Sequence, residues 1–277
     1  WRMFVMKAYG VTVERNLPEV PGGVTAQVTA TLPEPLSENA IAETWWNAIA
    51  EAERYILVED QYWRLPMVQD HLIARMNAVP ALELVVITKP VDEWTDPGCE
   101  WTHTVHQDLL ARFPGRYRTF QLRSFDTVET WGWDETECRF VDIDVHSKLL
   151  IVDDVFLSVG SANKNNRGLV YEGELNVAVW DATWVRTARR RVLANLLRSG
   201  TTATDDPAVW IAQLDAAAAW NDAVVAAWEV EGGDIDLGTL GNLDPVPVDL
   251  IPEGFVYSLG FRTPDDCFIE GVGPDNT

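Results

Sequence analysis

His146-Ser147-Lys148-Leu149-Leu150-Ile151-Val152-Asp153, followed after six residues by Gly160-Ser161-Ala162-Asn163, is the stretch on which both fold and chemistry turn. A strand over Val145–Val152 would put His146, Lys148, Leu150 and Val152 on one face and Ser147, Leu149 and Ile151 on the other. An imidazole and an ammonium then project side by side. If Asp153-Asp154 forms a two-residue hairpin turn, Val152 pairs with Val155, Ser161 stands opposite His146, and Asn163 lies just beyond the strand end. A titratable base, a fixed cation, a hydroxyl and an amide together suit a phosphate oxyanion. Asp153 is separated from that group by roughly 23 Å, seven residues at ~3.3 Å each, so it reads as structural, holding the turn through its side chain. Glu174, at the start of the next strand, is the carboxylate expected to orient His146, with Glu172 as its nearest competitor.

Outward from this stretch the chain alternates strands and helices. Residues 1–35 read as a linker and an entering strand, Val24–Thr31. Ser37 is the expected N-cap of a helix running to about Glu53. Strands follow at Tyr55–Glu59 and Leu82–Ile87, with helices at Val68–Asn77 and Thr102–Phe113. The next strand, Tyr117–Leu122, leads into a polar loop containing Trp131-Gly132-Trp133-Asp134. Strands at Val145–Val152, Val155–Ser161 and Glu174–Trp180 complete the set. Asp181 is expected to cap a helix bearing Arg186, Arg189, Arg190 and Arg191 on an exposed face, and Gly200 to end it. A further helix spans Pro207 to about Val230, and Gly/Pro/Asp-rich sequence follows. The fold class is therefore α/β: a layered mixed sheet flanked by helices, with an irregular C-terminal extension. Residues 1–200 form the expected catalytic half-domain, and 201–277 a helix and an irregular wrap.

Composition narrows the function. The chain of 277 residues carries 21 Lys and Arg against 43 Asp and Glu, a formal net charge of −22, which argues against a broad basic surface for nucleic acid. No apolar run reaches the ~18–20 residues that cross a bilayer. The opening Trp1-Arg2-Met3 shows neither an initiator Met nor a signal-peptide layout, so the chain is expected to begin inside a longer polypeptide. Localisation stays open, with secretion slightly favoured. Cys99, Cys138 and Cys267 contain no C-x-x-C pair; one Cys99–Cys138 bridge is left open for an exported protein. His103 and His106 lack an evident third ligand, so no metal site is expected. Trp131 and Trp133, in a loop before the chemical strand, suit contact with a lipid interface or head-group groove.

The pattern H-x-K-x4-D-x6-G-S-x-N formed by His146, Lys148, Asp153, Gly160, Ser161 and Asn163 resembles, without a gap, the signature of the phospholipase D superfamily. Tyr55-Ile56-Leu57-Val58-Glu59-Asp60-Gln61-Tyr62-Trp63 is similar to the segment that precedes the second such motif in two-motif, eukaryotic-type members, except that Asp60 stands where that family usually has Asn. Asn165 and Arg167 fit the N-x-R that often follows, and Pro252–Val256 is weakly similar to the tail of eukaryotic-type members. The resemblance covers roughly residues 24 to 200. It implies phosphodiester cleavage or transfer through a covalent phosphohistidine, two H-x-K motifs facing each other across a pseudo-two-fold axis, and no metal or other cofactor required for the chemistry. One histidine attacks phosphorus while the other protonates the leaving alcohol and then activates the acceptor.

This sequence holds one such motif. The other histidines, His71, His103 and His106, are followed two positions later by Ile73, Val105 and Asp108. Because the resemblance places the Glu59-Asp60-Gln61 segment between the two motifs, the chain reads as the C-terminal half of a two-motif enzyme, with His146 as general acid/base and nucleophile as its less favoured role, Lys148 and Asn163 as phosphate-binding groups, and Glu59 and Gln61 supporting the pocket. Its expected partners are a phospholipid at a membrane surface and an N-terminal half bearing the other motif, from the same precursor or a separate chain. A homodimer is the alternative source, and nucleic acid is not expected. The leading expectation is hydrolysis or transphosphatidylation of glycerophospholipids. The alternatives are a phosphatidyltransferase of the cardiolipin or phosphatidylserine synthase kind, a non-catalytic regulatory half, and, less favoured, a single-motif nuclease.

Overall fold

The computed structural model describes residues 20–64, 66–90, 99–129, 136–197, 204–230, 238–239 and 251–260. The expected Trp131-Gly132-Trp133 interface loop and most of the residues after Gly232 lie outside these, as does any side-chain geometry for Cys99 and Cys138. A mixed sheet of eleven strands forms the backbone of the molecule. Its centre is the run of apolar strands: β3 (Tyr55–Asp60), β4 (Glu83–Ile87) and β7 (Lys148–Val152). β3 pairs parallel with β4 and antiparallel with β7, and both its faces are covered, which is why Tyr55–Val58 read as an unbroken apolar run before Glu59 and Asp60. β8 (Phe156–Gly160), β9 (Glu174–Val179), β1 (Ala26–Leu32) and the two-residue β2 (Glu38–Asn39) extend the sheet on one side. β5 (Tyr117–Glu129), β6 (Thr136–Asp142) and the short β10 (Gly238–Thr239) extend it on the other, and β11 (Val256–Ser258) adds to β5.

Helices cover both faces. One face buries Ile56, Val58, Val86, Leu150 and Val152 against α1 (Ala40–Glu51), α2 (Pro66–Ala78) and α3 (Cys99–Arg112). The other buries Tyr55, Leu57, Ile87, Leu149 and Ile151 against α4 (Ala182–Leu196) and α5 (Pro207–Val230). Period-two alternation along β7 thus feeds two separate cores. Asp181 caps α4 as expected, its Oδ1 accepting from Trp184 N at 2.8 Å. α5 is tied to the tail by Asn221, whose amide donates to the carbonyls of Glu253 and Val256 and accepts from Glu253 N. The tail residues described are ordered against the domain, through a three-residue strand and this side-chain clamp.

Four expectations need correction. Ser37 does not cap α1: the helix starts at Ala40 with Asn39 as its N-cap residue and no side-chain cap bond, because Glu38 and Asn39 are drawn into a ladder with β1. The strand expected to end at Leu122 runs on to Glu129 and pairs with β6 from Arg123–Asp142 to Glu129–Thr136, so the expected loop is shorter and its Trp131–Asp134 lie outside the described residues. The β7–β8 hairpin pairs Val152 with Phe156, not Val155, so its register differs by one residue and Ser161 is not set opposite His146. Asp153 and Asp154 both adopt left-handed φ, 54° and 59°, and Val155 N donates to Val152 O at 2.9 Å, leaving Val155 as the extra residue of a bulged turn. Lastly, the arginines of α4 are not all exposed: Arg189 is fully buried, Arg186 and Arg190 are partly exposed, and Arg191 is exposed as expected.

Candidate active site

The register of β3 against β7 builds the first wall. Glu59 stands opposite Leu149 and Asp60 opposite Lys148, so Lys148 and Asp60 project toward α1–α3, and Glu59 toward the α4–α5 side. His146 and Ser147 precede the strand proper. Ser147 Oγ donates to Glu59 Oε1 at 2.6 Å, pinning this approach to β3. Lys148 is only 6% exposed, and its Nζ donates to the His146 carbonyl at 2.8 Å and to Gln61 Oε1 at 3.4 Å. Burial pushes the Lys148 ammonium below its ordinary pKa, and Lys164 pushes the same way; Asp60, Glu174 and Asp144 oppose them. The His146 side chain is exposed at the mouth and has no hydrogen-bond partner among the described residues.

β8 and β9 supply the second wall. A Cβ on Gly160 would fall 2.3 Å from Asn176 Oδ1 and 2.3 Å from the Leu175 carbonyl, so only glycine lets the two strands close here. Asn176 in turn accepts from Ala162 N at 3.2 Å and donates to Ser158 Oγ at 3.1 Å. Ser161 is held by β9: its N donates to the Leu175 carbonyl, and its Oγ accepts from Leu175 N at 3.0 Å and donates to the Glu174 carboxylate. Glu174 is thus engaged by Ser161, and no hydrogen bond joins it to His146. Asn163 follows, with its side-chain Oδ1 buried and lacking a hydrogen-bond partner. The π-helical turn Arg167–Tyr171 packs against the Asn163 backbone, where a Cβ on Gly168 would lie 2.5 Å from Asn163 O.

One feature beneath these groups was missed in the sequence. Lys164 Nζ pairs with Asp60 Oδ2 at 2.8 Å, with side chains 2% and 0% exposed. Asp60 Oδ1 also accepts from Tyr62 N and Lys164 N. The only sequence signal was Asp60 itself, an acid where the resemblance expects an amide.

At the far end of β7 the motif's aspartate does something different. Asp153 accepts backbone N–H bonds from Glu53, Arg54 and Tyr55 at 2.6, 2.9 and 2.7 Å, closing the junction between α1 and β3. Asp154 beside it takes a forked bond from Arg189, Nε at 2.6 Å and Nη2 at 2.9 Å, and accepts from Tyr55 Oη at 2.8 Å. Burial alone would raise the Asp154 carboxyl, but the bonds from Arg189 and Tyr55 hold it below its ordinary range. His106 is a core residue: its Nδ1 lies 2.5 Å from Tyr117 Oη, and burial lowers its pKa to about 3. Among the described residues no group of three or more His, Cys, Asp or Glu is placed to hold a metal ion.

Residues 114–196, from the end of α3 to the end of α4, match the family described as cardiolipin synthase, PLD-like domain. The chain carries a domain of the phospholipase D superfamily. The superfamily catalyses phosphodiester cleavage or transfer, and its members often pair two H-x-K halves. Similar solved structures include the phospholipase D family member Nuc from Salmonella typhimurium (16% identity, 61% of this chain and 91% of that one, TM-score 0.40). NucT from Helicobacter pylori is similar at 11% identity over 60% of this chain and 93% of that one, TM-score 0.42. Phosphatidylserine synthase from Haemophilus influenzae Rd KW20 is similar at 14% identity over 68% of this chain and 41% of that one, TM-score 0.47. No curated protein matches the chain. Among the described residues no helix is long and apolar enough to cross a membrane.

Proposed function

We propose that this phospholipase D-like domain supplies one half of a phosphodiesterase site that cleaves or exchanges the head group of glycerophospholipids. The observation that carries the reading is unspent polar capacity gathered at one end of β7. A buried ammonium is met only by a carbonyl and an amide oxygen, a buried Asn163 Oδ1 has no partner, and an imidazole stands free at the mouth. Lys148 and the Asn163 amide suit the non-bridging oxygens of a phosphodiester, where negative charge gathers in the transition state. A histidine from the second half attacks phosphorus and forms the phosphohistidine. His146 gives its proton to the leaving alcohol oxygen as that P–O bond breaks. The neutral imidazole then takes a proton from water or an acceptor alcohol as it attacks the phosphohistidine, which returns the first histidine. No metal or other cofactor is assigned a step.

The second half has a place to dock. On the α4–α5 side of the sheet, beyond the helices, Val28, Val159, Leu175 and Val177 form an apolar surface that is 65% exposed at Val28. It adjoins the Ser161 end of the site through the Leu175–Ser161 bond, on the face of the sheet opposite Lys148 and Asp60. A net charge of −22 works against pairing with a second copy, so we assign the occupant as a different H-x-K half, with a homodimer as the alternative outcome of the test.

The test combines the chain with its N-terminal half, phosphatidylcholine vesicles and ethanol, and looks for phosphatidylethanol. Its formation, abolished by His146→Ala, is expected. Cleavage of bis(p-nitrophenyl) phosphate without any phosphatidylethanol would keep the phosphodiesterase and sink the lipid assignment. The match to the cardiolipin synthase description favours a second reading, phosphatidyl transfer to a polyol or lipid acceptor. Replacing ethanol with glycerol or phosphatidylglycerol separates the two.

A further inference from the structure

We infer that Asp60 and Lys164 form a buried positioning pair that seats the Asn163 loop and sets the charge available at Lys148. The inference rests on the site proposed above. Asp60 ends β3 opposite Lys148, and Lys164 directly follows Asn163, so the pair bridges the two walls of the pocket. Three contacts fasten them: the 2.8 Å ion pair, the bond from Lys164 N to Asp60 Oδ1 at 3.3 Å, and the bond from Arg64 N to the Lys164 carbonyl at 3.2 Å. Lys164 Nζ also sits 4.7 Å over the Trp45 ring, whose Nε1 is spent on Ser158. No solvent reaches this cation, so its compensation comes from Asp60 and the ring face.

A neutral Asn at position 60 would keep both backbone acceptor bonds. What the acid adds is charge: burial raises the Asp60 carboxyl and lowers the Lys164 ammonium, and each partner works against that shift in the other. Two ammoniums, Lys148 and Lys164, share one buried carboxylate. The groups acting on Lys148 are Asp60 from β3, Lys164 from the loop after β8, Glu174 from β9 and Asp144 from the approach to β7; Glu59 acts on Lys164. Asp60 is the strongest of the acids that keep Lys148 protonated, and Lys164 works against it. The lysine next to Asn163 thus demands the acid beside Lys148, and the pair leaves Lys148 charged enough to meet a phosphate while it stays buried.

The two residues act through Lys148 and Asn163, so the test reads titration before turnover. The chain is labelled with 13C,15N-lysine, and the Lys148 and Lys164 Cε and Nζ resonances are assigned by Lys148→Arg and Lys164→Met. In Asp60→Asn the first of the two ammoniums releases its proton at lower pH than either does in the unaltered chain. In Asp60→Asn/Lys164→Met the neutralised pair returns Lys148 to near its original midpoint. The double variant also keeps the question answerable if Asp60→Asn alone fails to fold. Lysine titrations that do not move in folded Asp60→Asn, or a double variant with Lys148 still displaced, overturn the inference. With the second half present, the alkaline limb of phosphodiester cleavage moves to lower pH in Asp60→Asn and recovers in the double variant. Absence of all cleavage by the unaltered pair of halves would defeat the functional reading while leaving the lysine titrations to be judged on their own.

Discussion

The two ends of β7 carry the same motif and obey opposite rules. At the turn, Asp153 and Asp154 are saturated: three backbone N–H groups on one carboxylate, a forked arginine and a tyrosine hydroxyl on the other. At the mouth, His146 has no partner, Asn163 Oδ1 has none, and Lys148 has only neutral acceptors. A fold that can satisfy its polar groups so fully at one end has no packing reason to leave them short at the other. Saturation at the turn holds the domain together; shortfall by itself is not confined to the mouth, since Thr29 Oγ1 and Trp210 Nε1 are also buried without a partner among the described residues, and it suits a ligand where, as at the mouth, an exposed imidazole, an ammonium and an amide oxygen gather. The motif spans both because a hairpin can present its open end accurately only if its closed end is fixed.

The largest expected effect lies at the open end. His146→Ala removes an exposed side chain that bonds to nothing, so the melting temperature should stay unchanged while phosphodiester turnover falls by about 10²–10⁴-fold. Turnover that survives would break the contrast, because shortfall would then not mark function. Arg189→Met attacks the closed end. It leaves the buried Asp154 carboxylate with only the Tyr55 hydroxyl and the more distant Arg186, and urea unfolding should show a loss of up to about 3–5 kcal/mol. Adding Asp154→Leu to Arg189→Met should recover much of it, since a well-packed apolar pair tolerates what a lone buried charge does not.

Much of this contrast was legible beforehand, and what was hidden has physical causes. β3, β4 and β7 stood out because strands covered on both faces read as unbroken apolar runs. Asp153 could be assigned to the turn from distance alone, since strand geometry separates it from His146 by more than any hydrogen bond spans. The register was off by one because sequence does not show that Val155 bulges from the turn. Glu174 was matched to His146 on proximity, but Ser161, on the neighbouring strand, reaches it first. Lys164 and Arg189 were the least visible. A lysine or arginine reads as surface unless its acid is known, and these acids lie 104 and 35 residues away. Only the unusual Asp60 hinted at the first of them.

Asp153→Ala sharpens the comparison from the other side. It frees three backbone donors at the entrance to β3, two of them near solvent, and should cost roughly 2–3 kcal/mol while leaving turnover per folded molecule within about threefold. A normal melt with lost turnover would move Asp153 from the frame to the chemistry. Acid gives a related reading. Because the folded Asp154 carboxyl lies below its unfolded value, its contribution is present above about pH 4 and is lost as pH falls through the folded value. Stability below pH 4 should therefore drop more steeply in the unaltered chain than in Asp154→Leu/Arg189→Met.

The smallest expected effect is the most discriminating for the open end. Glu174 is held at the mouth by the Ser161 hydroxyl, as Glu59 is by Ser147, and it also helps keep Lys148 protonated. Glu174→Gln retains an acceptor for that hydroxyl and removes only the charge. It should lower turnover by less than about tenfold, and the loss should appear on the alkaline side, where Lys148 is surrendering its proton. An acid that oriented His146 would behave otherwise. Its removal would cost about 10²-fold or more at every pH, and the imidazole limb would move. The shape of the pH profile, more than the size of the loss, therefore decides whether Glu174 serves the ammonium or the imidazole.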